Sequence, residues 1–121
     1  MTLAELYDQM GGTYTEALAR LSANSLIERF IVRFLDDNSI RNLLDAWSRG
    51  DDDACFKAAH SAKGVTGNLS LTHLCELCTQ ICEALRPGNE ELRKATDLDA
   101  LIAELSSSYA RDVELIRAYS S

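Results

Sequence analysis

Apolar side chains recur every three to four residues along most of the chain, which is the spacing of one face of an α-helix. The alternation of β-branched and polar residues that marks β-strands is missing. One proline and six glycines among 121 residues leave little room for long irregular segments. The pattern predicts an all-α protein, and a chain of this length is large enough to bury a single core.

The helical pattern divides into two short amino-terminal segments and several longer ones. The predicted helices cover residues 2–10, 13–21, 24–36, 39–48, 51–69, 72–86 and 96–119, and residues 90–95 are expected to form a loop or a frayed turn. Long amphipathic helices with short connections stack antiparallel. We therefore predict an antiparallel four-helix bundle with short additional N-terminal helices, as one domain over residues 1–121. The four main helices are expected to be those that hold Phe30, His60, Cys78 and Leu105.

Polar side chains at the predicted helix starts are expected to act as N-caps. A hydroxyl or carboxylate oxygen at such a position accepts a hydrogen bond from a free backbone N–H. The acidic run Asp51-Asp52-Asp53 also suits the positive end of a helix macrodipole. Its alternative use as a metal cluster is disfavoured, because adjacent residues on a helix point in different directions. The expected hydroxyl caps are Thr13 or Thr15, Ser39, and Ser70 or Thr72.

Composition argues against several classes of function. The formal net charge is −7, whereas a nucleic-acid-binding protein needs a basic face, so no nucleic-acid partner is expected. No apolar run approaches the roughly 18 residues of a membrane span, and the acidic start MTLAELYDQM does not resemble a signal peptide. We therefore expect no membrane association, a cytoplasmic location and four cysteines that are reduced thiols.

The predicted helix over residues 51–69 has an unusual polar face. With His60 at the zero of a helical wheel, Lys63, Gly64 and Gly67 fall within about 60° of it. The opposite side, from about 120° to 200°, is the predicted apolar seam. Two glycines inside a helix cost about 1 kcal/mol each relative to alanine, which indicates that something approaches His60 closely. The seam residues are Ala54, Ala58, Ala62, Val65 and Leu69.

The neighbours of His60 favour a functional role over a chance surface position. A lone histidine on a helix is usually an incidental surface residue. Lys63 lies one turn further on, with its Cβ about 5–6 Å from that of His60, and can attract an anionic group attached to the imidazole. Gly64 and Gly67 leave a flat approach to the ring. Phe56, about 40° away and one turn earlier, adds an aromatic side chain that could act as a docking contact.

Three cysteines on the following helix form a second candidate site. The sequence CELCTQIC holds Cys75, Cys78 and Cys82, and His73 could supply a fourth ligand for zinc. However, these cysteines share one helix stripe with leucines, and cysteine is among the most often buried residues. The core interpretation is therefore favoured, with His73 as a surface residue, and a zinc or redox protein remains the weakest alternative.

The stretch AHSAKGVTGNLSLTHLCELC resembles the signature of histidine phosphotransfer (HPt) domains, the phosphocarriers of multi-step two-component relays. The matching positions are Ala59-His60, Lys63-Gly64, Gly67, Asn68-Leu69, Leu74 and Cys78. The upstream turn LLDAWSRGDDDACFKAAH also resembles the short helix, Gly-Asp and helix entry of the family. One departure is that the family usually has Gly-Ala after the Asn-aliphatic pair, whereas this chain has Ser70-Leu71.

The resemblance implies a phosphorelay function. His60 would accept a phosphoryl group from the aspartyl phosphate of a receiver domain and pass it to another receiver. The expected partners are response-regulator receiver domains, a hybrid sensor histidine kinase, or both. No cofactor is expected on this chain, because Mg²⁺ would belong to the partner receiver. Lys63 would screen the phosphate, Asn68 would either orient the docking surface or cap the helix end, and the docking surface would comprise Gly64, Gly67, Phe56 and Asn68.

Two alternatives to the phosphocarrier are weighed. In a non-catalytic helical scaffold or interaction bundle, His60 would be incidental. A histidine kinase fits less well, because its phosphorylated histidine is typically followed by an acidic residue, whereas Ser61 follows here, and no ATP-binding segment is found. We therefore expect a carrier without autophosphorylation, not an enzyme. The start at Met1 favours a free-standing protein over a domain of a larger kinase.

Overall fold

The computed structural model describes residues 1–121 and contains eight α-helices and no β-strand, which confirms the predicted all-α bundle class. None of the helices combines the length and the apolar character needed to cross a membrane. The helices are α1 (Leu3–Gln9), α2 (Tyr14–Leu21), α3 (Asn24–Phe34), α4 (Ser39–Ser48), α5 (Asp52–Asn68), α6 (Thr72–Leu85), α7 (Glu90–Ala95) and α8 (Leu98–Ser120).

The helix α7 lies where a loop or frayed turn was expected. Its first turn carries Glu90 and Glu91, and its last turn carries Arg93 and Lys94, so the charges at both ends complement the helix macrodipole. None of its residues is buried, which explains why hydrophobic periodicity gave no signal for it.

The helix α5 packs between α4 and α6. Two weak thiol hydrogen bonds mark these interfaces: Cys55 donates to the carbonyl of Leu43 on α4 at 3.6 Å, and Cys75 on α6 donates to the carbonyl of Lys63 at 3.7 Å. In each pair, a similar number of residues separates each partner from the turn that connects the two helices, as in antiparallel neighbours. The fourth long helix, α8, packs mainly along α6.

The prediction that the helix holding Phe30 would be one of the four main bundle members is wrong. That helix, α3, packs against α2 and α8, while α4 packs along α5. The physical reason is that α4 buries an apolar stripe of its own and is joined to α5 by a short turn. The stripe consists of Ile40, Leu43 and Ala46.

The buried face of α5 is rotated relative to the predicted seam. The seam residues Ala54, Ala58 and Val65 are only half-buried. The buried arc is centred about 220° from His60, because α4 and α6 both pack against α5 and share its buried face. Its small side chains let both neighbours approach closely, and His60 is left facing outward. The buried residues are Cys55, Ala59, Ala62, Thr66 and the C-cap residue Leu69.

The short helix α1 is fastened to the carboxyl end of α5. Its residues Leu6 and Tyr7 are fully buried in the common core. The Tyr7 hydroxyl donates a hydrogen bond of 2.7 Å to the carbonyl of Leu69. In addition, the backbone N–H of Thr13 donates to the carbonyl of Ser70 at 2.9 Å. The amino-terminal segment therefore closes the end of the bundle where α5 turns into α6.

The acidic start of α5 caps the helix as predicted. The Asp51 side chain accepts a hydrogen bond from the backbone N–H of Ala54 at 3.0 Å. The carboxylates of Asp52 and Asp53 point apart, Asp52 toward Arg93 of α7 and Asp53 toward Lys57. This divergence agrees with the macrodipole interpretation of the acidic run.

The predicted hydroxyl caps are wrong. Thr13 occupies the N-cap position of α2, but its hydroxyl lies 2.6 Å from that of Thr72 and caps nothing. Ser39 is the first residue inside α4, and its hydroxyl donates to Asp37 at 2.8 Å. Leu71 precedes α6 and has no side-chain cap. Tertiary contacts and neighbouring acids compete for these hydroxyls, which sequence spacing alone does not reveal.

Ser70 stands in a backbone conformation that favours glycine. Its φ is +54°, in the left-handed region, and its buried hydroxyl has no hydrogen-bond partner. The N–H of Leu71 donates to the carbonyl of Thr66 at 2.9 Å, closing the end of α5 as a left-handed cap does. The HPt signature usually has glycine at this position. Here a serine adopts the backbone conformation that favours glycine.

A buried carboxyl on α8 predicts a pH-dependent stability. Asp112 is fully buried; one oxygen accepts from Arg111 at 3.2 Å and the other has no partner. Burial raises the pKa of Asp112 from 3.8 to about 6, although Arg111 and His73 oppose the rise. In the unfolded chain this carboxyl has its ordinary pKa, so it loses its proton at a lower pH than in the folded protein. The free energy of unfolding therefore falls as pH rises from about 4 to about 6.

Asp112→Asn should remove this pH-dependent loss. As the pH rises from 4 to 7, the free energy of unfolding of the variant minus that of the wild type should increase by on the order of 1–3 kcal/mol. Urea denaturation at both pH values measures the difference. Asp99→Asn, at an exposed position of the same helix, is the matched control. A difference between Asp112→Asn and wild type that is equal at pH 4 and pH 7 would contradict the prediction.

Candidate functional site

The imidazole of His60 is free on the protein surface. The residue lies in the middle of α5, is exposed, and makes no hydrogen bond or ion pair within the chain. The other histidine differs, because Nε2 of His73 lies 3.1 Å from both the Glu104 carboxylate and the Ser108 hydroxyl of α8. Only the ring of His60 therefore has both nitrogens open to an approaching group.

Lys63 is a half-buried cation next to His60. It follows His60 by three residues on α5, so both side chains lie on one face of the helix. Lys63 makes no ion pair in the structure, whereas several other cations of the chain are paired with carboxylates. Its ammonium group is thus available to an anion bound at the imidazole.

Gly64 has no structural requirement for the missing side chain. A Cβ built at this position would meet nothing within 4 Å, and the residue is exposed on α5. At Gly67 a Cβ would lie 3.5 Å from Sγ of Cys75, which is an ordinary contact. Neither glycine has a positive φ. At Gly64 the helix therefore accepts the helix-propensity cost of a glycine without an internal reason, which supports close approach from outside.

Phe56 is half-buried and neighbours both His60 and the cation Arg86 at the end of α6. The two ring centroids are 6.5 Å apart. The guanidinium carbon of Arg86 lies 5.3 Å from the Phe56 centroid, within range of a cation–π interaction. The ring was expected to be an exposed aromatic and a docking contact, but it is half-buried and packs against the core.

An ion pair at the end of α6 completes this edge of the site. Arg86 donates two hydrogen bonds to the Glu83 carboxylate, at 2.9 and 3.2 Å. The pKa of Glu83 is lowered, first by its hydrogen bond with Arg86, with smaller effects from the charges of Lys63 and His60. Sequence reasoning missed Glu83 and Arg86, although their i,i+3 spacing signals a pair. Their proximity to His60 depends on the register between α5 and α6.

Asn68 lies apart from the imidazole. It is the last residue of α5, and its exposed side chain makes no hydrogen bond, so a capping role is not observed. Two helical turns separate it from His60. It borders a groove of about 510 Å³ between α5 and the α2–α3 pair, with apolar Phe30 and Val65 and the cations Arg20 and Arg33 on its walls. A partner that docks on His60 therefore contacts Asn68 only if its surface also covers the next two helical turns of α5.

The cysteines belong to the interior, as the core interpretation predicted. Cys55, Cys78 and Cys82 are buried, and burial raises the pKa of Cys78 to about 12 and that of Cys55 to about 11. Cys75 is half-buried against α5. His73 is also half-buried and bonded to α8, so it is not the simple surface residue expected. No three cysteine, histidine or acidic side chains converge as metal ligands.

Comparison with known proteins identifies the family. The family model described as Hpt domain matches residues 26–108, which is more than half of the chain. The chain therefore belongs to the Hpt domain family. Searches of curated proteins and of solved structures returned no match. Hpt domains are histidine phosphotransfer modules of phosphorelays: they interact with receiver domains and act as phosphocarriers, not as catalytic domains.

Substitution of Gly64 should separate stability from phosphotransfer. Gly64→Leu places a good helix former in open space, so we expect the free energy of unfolding to rise by up to about 1 kcal/mol. The same side chain would hold a receiver away from His60, and we expect the transfer rate to fall about 10- to 100-fold. Denaturation and single-turnover transfer measure the two effects.

The control for added bulk is Ala110→Leu, at an exposed position on α8. It should leave the transfer rate unchanged. A Gly64→Leu variant that transfers at the wild-type rate would show that Gly64 is not part of the docking surface.

Proposed function

We propose that His60 is the phosphoacceptor of a phosphorelay, taking a phosphoryl group from a receiver-domain aspartyl phosphate and passing it to another receiver. The observation that carries this proposal is the contrast between two histidines: His60 has a free ring beside an unpaired lysine, whereas His73 is bound to α8. The Hpt family match includes His60 and its neighbours.

The chemistry needs a nucleophile and a clear approach. A neutral imidazole nitrogen of His60 attacks phosphorus, and an N–P bond forms while the bond between phosphorus and the aspartyl oxygen breaks. The carboxylate leaves with the electron pair of that bond, and the second ring nitrogen keeps its proton. Return of the phosphoryl group to an aspartate of a second receiver reverses these changes. Such transfer depends mainly on positioning and charge neutralisation.

The residues around His60 divide these two tasks. Lys63 neutralises part of the phosphoryl charge, since its ammonium group is one helical turn away and unpaired. Gly64 and Gly67 allow the receiver surface to approach the helix backbone. Phe56 and Asn68 contact the receiver at the two ends of the same face. We place Mg²⁺ on the receiver and expect no cofactor on this chain.

We further propose that residues 1–121 function as one domain. The family match begins at residue 26, but Tyr7 and Thr13 bind backbone carbonyls at the end of α5. The side chains of α1 also lie in the same core as those of α5, α6 and α8. The proposed partners are receiver domains of response regulators, of a hybrid sensor kinase, or of both. We also propose a cytoplasmic location.

Substitution of each histidine tests the assignment. With a phosphorylated receiver supplied, the wild type should gain an acid-labile phosphoryl group, and His60→Gln should lose this transfer completely. His73→Gln is the matched control and should transfer at close to the wild-type rate, because that ring is engaged by α8. Radiolabel transfer and mass spectrometry under alkaline conditions measure both results.

The same experiment distinguishes the scaffold alternative. A scaffold in which His60 is incidental would show no transfer to the wild type, and His60→Gln would bind partners as tightly as the wild type does. Labelling of His60→Gln at the wild-type level would place the phosphoacceptor elsewhere.

A further inference from the structure

The Glu83–Arg86 ion pair lies next to Phe56, at the edge of the surface around His60, and is not needed to hold the end of α6 in place. Both side chains are partly exposed, at 37% and 40%. The last turn of α6 is held independently, because the side-chain amide of Asn89 donates to the Glu83 carbonyl at 2.9 Å. An exposed ion pair of this kind contributes little to stability. Its position therefore calls for another explanation.

Arg86 and His60 share Phe56 as a neighbour. The guanidinium carbon of Arg86 lies 5.3 Å from the centroid of the Phe56 ring, and the centroid of the His60 imidazole lies 6.5 Å from it. The Arg86 side chain is partly exposed, so it has room to reorient toward His60. The charges of His60 and Lys63 also act on the Glu83 carboxylate, so the four polar groups share one electrostatic environment.

We propose that Glu83 and Arg86 form an exchangeable ion pair that adjusts how long His60 keeps its phosphoryl group. Arg86 leaves Glu83 to bind the phosphoryl oxygens when His60 is phosphorylated, and Glu83 recaptures Arg86 when the group departs. This inference rests on the proposed function of His60. Glu83 and Arg86 are positioning residues here, because no covalent bond is made to either of them.

The exchange is favoured by charge and by geometry. A phosphoryl group carries more negative charge than a carboxylate and offers three oxygens, and a guanidinium binds either group through two parallel hydrogen bonds. Glu83 then remains as an unpaired carboxylate near the phosphoryl group and repels it. Arg86 thus stabilises phosphorylated His60, while Glu83 destabilises it and promotes onward transfer.

The two residues should therefore have opposite effects when substituted. Glu83→Gln frees Arg86 and removes a repelling charge, so the equilibrium between His60 and a receiver should shift toward phosphorylated His60 by about threefold to tenfold. Arg86→Ala leaves Glu83 unpaired, so the same equilibrium should shift toward the receiver by a similar factor. Arg86→Lys, which keeps the charge but not the fork, should restore part of the wild-type value.

The direction of the shifts separates this role from a structural one. Both substitutions break the same ion pair, so a merely structural role would move the equilibrium in one direction or leave it unchanged. The matched control is the Glu114–Arg117 pair on α8, which has the same spacing and the same 2.9 Å distance but no histidine or aromatic contact. Glu114→Gln and Arg117→Ala should leave the equilibrium as in the wild type.

Two quantities are measured. The first is the ratio of phosphorylated His60 to phosphorylated receiver at equilibrium, and the second is the lifetime of the phosphoryl group on His60 of the full chain after the receiver has been removed. Opposite shifts for Glu83→Gln and Arg86→Ala support the exchange. Shifts of equal sign, or none, in a protein that is phosphorylated at His60 overturn the exchange and leave the proposed function intact. A wild type that accepts no phosphoryl group on His60 overturns both.

Discussion

The packing of α5 between α4 and α6 is the constraint on which the site depends. Small buried residues such as Ala59 and Ala62 let the neighbouring helices approach closely from two sides, and the third side of α5 is left in solvent. That free side carries His60 and Gly64. The same interactions that bury the core therefore present the imidazole on a rigid helix, where its position does not rely on a loop.

This arrangement suits a protein that carries a phosphoryl group between partners. An enzyme usually encloses its substrate in a pocket, whereas a carrier must leave its reactive group open to protein surfaces on both occasions. His60 stands on a convex helix face with the unpaired Lys63 one turn away. The ends of α5 are secured elsewhere: Asp51 caps its start, and Tyr7 binds the carbonyl of Leu69 at its end. Partner docking can thus use the outer face without disturbing the core.

The sequence predicted the helices well and their interactions less well. Apolar periodicity placed α1 to α6 and α8 within a few residues of their observed ends, because periodicity reports local burial. It did not detect α7, which buries nothing, and it misjudged the buried arc of α5, which two neighbours share. Caps such as Ser39 were misassigned since nearby acids bind the same hydroxyl. The pair Glu83 and Arg86 could not be linked to His60, because that link requires the register of α5 against α6.

The most direct test of the account is to observe both imidazole rings while the chain is phosphorylated by a receiver. Long-range proton–nitrogen NMR of the ¹⁵N-labelled protein resolves the ring nitrogens of His60 and His73. We expect the His60 nitrogens to shift strongly upon phosphorylation, while those of His73 keep their resonances because Glu104 and Ser108 hold that ring. An acid-labile phosphoryl group that appears without any change at the His60 ring would contradict the central claim.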